Sequence, residues 1–314
     1  MLSFIIRRLI QTLVVLFIVS LLSFFLLHII PGDPVVAMLG MDATPQTVAQ
    51  LRQELSLDRS LFTQYVDWIW GALHGDLGKS LIFREDVTKL IGQRLPITAY
   101  ISFLALIIST VVGIWAGIIG AVRRGGFTDS MISLFANMGI AVPTFWLGIL
   151  GIYVLGLKLD LLPIQGFTWP TVDFWKSMGQ VIMPVFCLSV PGVAVLARQT
   201  RSSMLEVIRQ DYIRTAISKG LRERVVIYRH ALKNALIPVV TLLGIQVRLL
   251  VGGAVLTETV FNIPGMGRLL VRASFDKDFL IVQGCTLFIG IAVCLSNLLV
   301  DLSYGWIDPR IRYE

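Results

Sequence analysis

Polar and apolar residues are arranged along this chain in long blocks. Six apolar runs stand out: residues 9–30, 99–122, 130–157, 178–197, 235–257 and 279–300. Each has about 20 residues or more, the length at which a helix covers the hydrocarbon layer of a bilayer. Five runs hold no charged side chain, and the run 235–257 holds one, Arg248. In hydrocarbon every backbone N–H and C=O must be paired within the protein, so spans of this kind are helices. The pattern predicts an all-α membrane protein with six transmembrane helices. The first run is longer than the apolar core of a secretory signal. Pro31-Gly32-Asp33-Pro34 follows it without a small-residue cleavage site, so it reads as an uncleaved span.

The pattern changes between the first two runs. Residues 45–55 and 60–73 carry apolar positions at helical spacing, among them Leu61, Tyr65, Trp68, Ile69 and Ala72. Two or three short amphipathic helices are expected there, with Trp68 and Trp70 at the water–lipid boundary. The organisation read from these blocks is an N-terminus and first span (1–30), a helical segment outside the cytoplasm (31–98), and a transmembrane core (99–314) with a long loop at 198–234.

Composition agrees with the bilayer. Of 314 residues 55% are hydrophobic and 15% charged, against about 25% charged in soluble domains. A water-soluble enzyme is excluded. Cys187, Cys285 and Cys294 lie in apolar stretches, and an odd count gives no disulfide framework. With six spans both termini share a side. That side holds 15 Lys/Arg against 7 Asp/Glu, including the span-flanking pairs Arg7-Arg8 and Arg123-Arg124. Basic residues beside spans stay inside, which predicts cytoplasmic termini.

The loop 198–234 is the most informative segment. It carries nine basic residues against Glu206, Asp211 and Glu223. Met204, Leu205, Ile208, Tyr212, Ile213 and Ala216 recur three or four apart, an amphipathic helix. Gly220 after Lys219 fits a helix C-cap, and a second helical stretch from Arg222 to Lys233 leads into the fifth span. A basic surface helix held by anionic lipid is one reading. A tight glycine turn favours the other, docking into a partner protein, because lipid attraction needs no defined turn.

Here the sequence resembles a known family. Asp211-Tyr-Ile-Arg-Thr-Ala-Ile-Ser-Lys-Gly-Leu221 followed by Arg229-His-Ala-Leu-Lys-Asn-Ala-Leu-Ile-Pro238 is similar to the cytoplasmic loop of bacterial ABC importer permeases. More narrowly, the chain resembles the first membrane subunit of the dipeptide/oligopeptide/nickel permeases. The likeness includes Pro31-Gly-Asp-Pro34, Gly75-Asp-Leu-Gly-Lys-Ser80, Leu95-Pro96-Ile-Thr98, Thr257-Glu-Thr-Val-Phe261, Pro264-Gly-Met-Gly267 and Asp308-Pro-Arg-Ile-Arg312. The resemblance implies the type I ABC importer permease fold. It also implies a Glu-Ala-Ala-x3-Gly coupling element, which falls here on Arg214-Thr215-Ala216 and Gly220, with Lys219, Leu221, Glu223 and Arg224 around it. Where the general pattern has a proline 13 residues past that glycine, this chain has Lys233. Implied partners are a homologous second permease in a heterodimer, two ATPase subunits holding ATP and Mg, and an extracellular or periplasmic solute-binding protein, all at the bacterial inner membrane. No cofactor on this chain and no nucleic acid are implied. The cargo class is short peptides, with nickel or another metal chelate as the alternative and a polytopic receptor or scaffold as a more distant one.

Catalytic chemistry is not evident. Gly75 to Ser80 mimics the end of a phosphate-binding loop, but the first glycine of that motif would fall at Leu73 and no buried strand precedes it. His28, His74 and His230 are scattered, without ligand spacing. No paired Asp, Ser/His or zinc-ligand set lies in the spans. Polar residues within spans are costly and face bundle interiors or cavities. Arg248, Gln246, Asn137 and Glu258 are the candidates for the solute path, with structural pairing as the competing role for Arg248 and interhelical hydrogen bonding for Asn137. Pro143, Pro184, Pro191 and Pro238 are expected to break or begin spans.

Overall fold

The computed structural model describes residues 2–29, 34–54, 57–80 and 82–307. Its elements are α1 (Leu2–Ile29), α2 (Pro34–Leu39), α3 (Pro45–Glu54), α4 (Leu61–Leu73), α5 (Val87–Val122), α6 (Phe127–Ala141), α7 (Thr144–Gly151), α8 (Phe174–Val207), α9 (Asp211–Ser218), α10 (Glu223–Val225), α11 (Leu232–Val260), α12 (Met266–Phe275) and α13 (Phe279–Ile307). Wider π-helical turns extend α7 over Ile152–Lys158 and join α10 to α11 over Val226–Ala231. The chain forms two compact units, Met1–Thr98 with Pro264–Leu298 and Ala99–Ile263 with Leu299–Glu314.

Among the described residues five helices are long and apolar enough to cross a membrane, or up to six when one bent pair counts as a span. That pair is the expected run 130–157. It is not one helix: α6 and the α7 segment are bent by 100°. Pro143 brings no N–H and forces Val142 out of the helical region, to φ −83° and ψ 124°. The other prolines behave differently. Pro184 and Pro191 stay inside α8, and Pro238 stays inside α11. Away from water, unravelling a helix frees several backbone groups and so costs more than the one hydrogen bond a proline removes.

In the first unit, α4 lies on α1. The hydroxyls of Ser20 and Tyr65 are 2.7 Å apart, and Phe24 meets Tyr65 and Trp68 with centroids 5.5 and 6.0 Å apart. A core of Leu77, Val87, Leu90 and Ile91 packs on Met266, Leu269 and Ala273 of α12 and on Ile281, Cys285 and Leu287 of α13. The turn before α5 is clasped there: Ser80 Oγ donates to Oδ2 of the buried Asp278 at 2.5 Å, while Phe83 N–H donates to Ser80 Oγ at 2.9 Å.

In the second unit α8 is the central helix. Its contact with α5 is set by glycine: a methyl group at Gly117 would lie 2.5 Å from Thr200 Cβ and 2.6 Å from the Ala197 carbonyl. One at Gly113 would lie 2.7 Å from Leu196 Cβ. Small residues let helix backbones approach this closely in lipid, where packing replaces the hydrophobic drive. At 34 residues α8 is about 51 Å long, far more than a bilayer core requires. Residues 198–207, expected as loop, are its continuation.

Candidate functional site

The amphipathic series from Met204 to Ala216 is divided between two helices. α8 ends at Val207; Gln210, in extended backbone at φ −71° and ψ 149°, starts α9. The turn between them folds α9 back, so that its apolar positions are buried rather than left on a long free rod. Ile213 and Ala216 pack with Met204 of α8, Ala121 of α5, and Val226, Ala231 and Ala235 on the way into α11. Ile213 and Met204 are fully buried. A hydrogen bond from Asn234 Nδ2 to the Tyr212 hydroxyl, 2.8 Å, ties α9 to α11 as well.

The C-terminus of α9 has the geometry that its sequence predicts. Gly220 N–H donates to the Ile217 carbonyl at 2.9 Å and Leu221 N–H to the Ala216 carbonyl at 3.4 Å. These are the two bonds of a Schellman turn, and they require a left-handed residue at the glycine, here φ +74°. No atom lies within 4 Å of where a Gly220 side chain would start. The turn therefore projects into open space, and its shape is set by its own hydrogen bonds.

Of the sequence-derived coupling residues, Arg214, Thr215, Lys219, Gly220, Leu221, Glu223 and Arg224 are all exposed. Ala216 is not: it is 7% exposed and belongs to the inward face. It packs there with Ala121, Met204, Ile213, Val226, Ala231 and Ala235. The outward face is amphipathic in its own right. Ile217 and Leu221 are 58% and 40% exposed, flanked by Arg214, Lys219, Arg222 and Arg224 against Asp211 and Glu223. Asp211 and Arg214 pair at 3.5 Å in the open, which contributes little to stability. The element thus offers apolar knobs in a basic rim on a rigid, folded turn.

Three of the residues proposed for a solute path have described side chains, and they stand in different surroundings. Gln246 is buried in α11, with its Oε1 3.5 Å from the position of a Gly192 side chain on α8, so it lies in a helix–helix contact. Glu258 is buried twelve residues further along the same helix, about 18 Å away along its axis. Asn137 is exposed on α6. The side chain of Arg248 lies outside the described residues. A groove of about 500 Å³ between α5, α6 and α8 is lined by Val112, Phe135, Gly139, Phe186, Val190 and Val193. Its Ser189 hydroxyl is spent on the Phe186 carbonyl at 2.9 Å. Such a wall suits hydrocarbon and offers a polar solute no hydrogen-bond partner.

Two buried polar contacts were not read from the sequence. One is the Ser80–Asp278 clasp, which gives the Gly75–Ser80 turn a structural role. The other is a two-bond ion pair between Arg201 and Asp129: Nε to Oδ1 at 2.6 Å and Nη2 to Oδ2 at 2.8 Å. The one available signal was a lone acid, Asp129, at the mouth of an apolar run. His74, by contrast, caps α4 through its own ring, with Nδ1 2.8 Å from the Trp70 carbonyl.

Comparison with known proteins agrees with this architecture. Residues 109–313 match the family described as binding-protein-dependent transport system inner membrane component. Residues 1–102 match the N-terminal model of the corresponding membrane components. A probable peptide ABC transporter permease protein of Sinorhizobium fredii is 43% identical over 99% of each chain. The dipeptide transport system permease protein DppB of Escherichia coli K12 is 40% identical over the full length of both. Among solved structures, a chain of the MetNI methionine ABC transporter in an inward-facing conformation superposes with a TM-score of 0.55 at 17% identity. The match covers 70% of this chain and 96% of that one, a likeness of fold. No cofactor belongs to this family's membrane subunit, and its ATPase is a separate subunit. Taken with the helices, these matches place the chain in the family of binding-protein-dependent transport system inner membrane components, as a multi-pass ABC importer permease of the type I fold and not an enzyme.

Proposed function

We propose that this chain forms one half of a translocation path for short peptides and is moved by ATPase subunits docked on α9. The observation that carries the coupling reading is the double-sided packing of α9. Its inward face is fixed to α5, α8 and α11, and its outward face ends in an exposed Schellman turn with Ile217 and Leu221 in a basic rim. A helix held this way passes displacement to the spans as a rigid body and leaves a second apolar surface for a partner. The peptide cargo rests on the relatives, which are named for peptide and dipeptide transport. The partners in this reading are a homologous second permease, two ATPase subunits with ATP and Mg, and a solute-binding protein. The termini and α9 then lie on the cytoplasmic side, in line with the basic flanks Arg7-Arg8 and Arg123-Arg124.

In this account, ATP-driven closure of the two ATPase subunits carries α9 and the attached ends of α8 and α11, and the packed helices switch between two arrangements. Reconstituted complex with loaded binding protein tests it. Dipeptide uptake that depends on ATP and on the binding protein is expected, and a Gly220→Trp variant should lose stimulated ATPase activity while its spans stay folded. Uptake of a nickel chelate with no uptake of peptide would overturn the cargo assignment; full stimulation in Gly220→Trp would overturn the coupling assignment.

A further inference from the structure

The Arg201–Asp129 ion pair sits where three helices converge. Asp129 is in the first turn of α6 and its side chain is 7% exposed; Arg201 is on α8 and 30% exposed. Gly125 N–H donates a third bond to Asp129 Oδ2 at 2.9 Å, fixing the turn between α5 and α6 to the same carboxylate. α5 lies over the pair at Gly120, where a methyl group would meet Arg201 Cδ at 3.3 Å and Asp129 Oδ1 at 3.4 Å. Arg201 is one helical turn before Met204, the α8 residue on which Ile213 and Ala216 of α9 pack. The pair is therefore about 4.5 Å along α8 from the seat of α9.

Burying a charge pair adds little net stability compared with apolar residues of the same size, so stability alone does not account for it. What a two-bond guanidinium–carboxylate fork supplies is direction: both bonds break if either helix rotates or slides. At Gly113, Gly117 and Gly139 the facing atoms on α8 are side-chain carbons and backbone atoms, contacts without a directional bond between side chains. α6 is also the first half of the helix pair bent by 100° at Val142-Pro143, a segment whose geometry is set by one break rather than by continuous helix.

We infer that Arg201 and Asp129 are a positioning pair that makes α6 travel with the end of α8, so that displacement of α9 reaches the bent helix pair. This rests on the docking reading of α9. The test is uptake per ATP hydrolysed in the assembled, reconstituted complex with loaded binding protein, for Asp129→Asn, Arg201→Lys, and the reversed pair Asp129→Arg with Arg201→Asp. The expected result is a loss of at least tenfold in uptake per ATP in the single variants, with stimulated ATPase activity within twofold of the parent. The reversed pair should recover at least half of the lost coupling. Unchanged uptake per ATP in both single variants overturns the inference. So does a proportional fall of uptake and ATPase without recovery in the reversed pair, or failure of all three variants to assemble, each of which assigns the pair to folding. Leu221→Asp, measured alongside, separates the two readings: undiminished stimulation in that variant removes the docking of α9 and this inference with it. Diminished stimulation there, with coupling intact in Asp129→Asn, removes the positioning pair alone.

Discussion

Two short amphipathic helices, α9 and α12, follow the same rule on one face and part company on the other. Each buries its apolar stripe: Ile213 and Ala216 in α9, Met266, Leu269 and Ala273 in α12. α12 then presents mainly polar side chains such as Arg272 and Ser274, apart from Phe275 at its end. α9 and its turn present Tyr212, Ile217 and Leu221 instead, bounded by cations. One helix is finished by its own chain. The other has an apolar surface left over, and a residual apolar face on a rigid turn is what a protein partner needs.

The largest expected effect tests the shared rule. Ile213→Asp and Leu269→Asp each bury a carboxylate without a designed partner, which costs on the order of 3–5 kcal/mol. Both should abolish recovery of folded permease, measured as yield and thermal midpoint in detergent. Survival of either would show that the inward face of that helix is not a core.

The sequence made the long elements legible and misplaced their breaks. Apolar runs identify spans because hydrocarbon leaves the backbone no alternative to helix. The same signal cannot see Pro143 ending α6 while Pro184, Pro191 and Pro238 remain inside helices, because that difference lies in what surrounds each proline. In the loop, Gly220 was readable since only glycine takes the left-handed cap at no steric cost. Ala216 was readable as an apolar position of the amphipathic series and is buried, whereas the coupling motif gives its spacing but not its facing. The Arg201–Asp129 and Ser80–Asp278 contacts link residues 72 and 198 positions apart, a separation that local pattern does not report.

Next in size is the clasp just beyond α12. Ser80→Ala removes the hydroxyl donating to Asp278 and leaves a buried carboxylate one partner short, worth about 2 kcal/mol. The thermal midpoint should fall with ATPase stimulation of the surviving complex unchanged, whereas a loss of stimulation at unchanged stability would give the Gly75–Ser80 turn a role beyond structure.

The outward faces differ in kind rather than in stability. Leu221→Asp is expected to leave the permease as stable as the parent, within about 0.5 kcal/mol as for other exposed changes. It should lower binding-protein-stimulated ATPase at least tenfold, while Ser274→Asp on α12 alters neither. Equal behaviour of the two would erase the contrast. Smallest is Gly220→Ala, which has room for its methyl group but holds it at φ +74°. A cost of about 1 kcal/mol is expected, seen as a small drop in thermal midpoint with partial loss of stimulation.

The most direct measurement is site-specific photocrosslinking in the assembled complex, with a benzophenone side chain placed at Leu221 of the α9 turn or at Ser274 of α12. The account predicts an ATPase-subunit adduct from position 221 and none from position 274. No adduct at 221, or equal adducts from both positions, would contradict it.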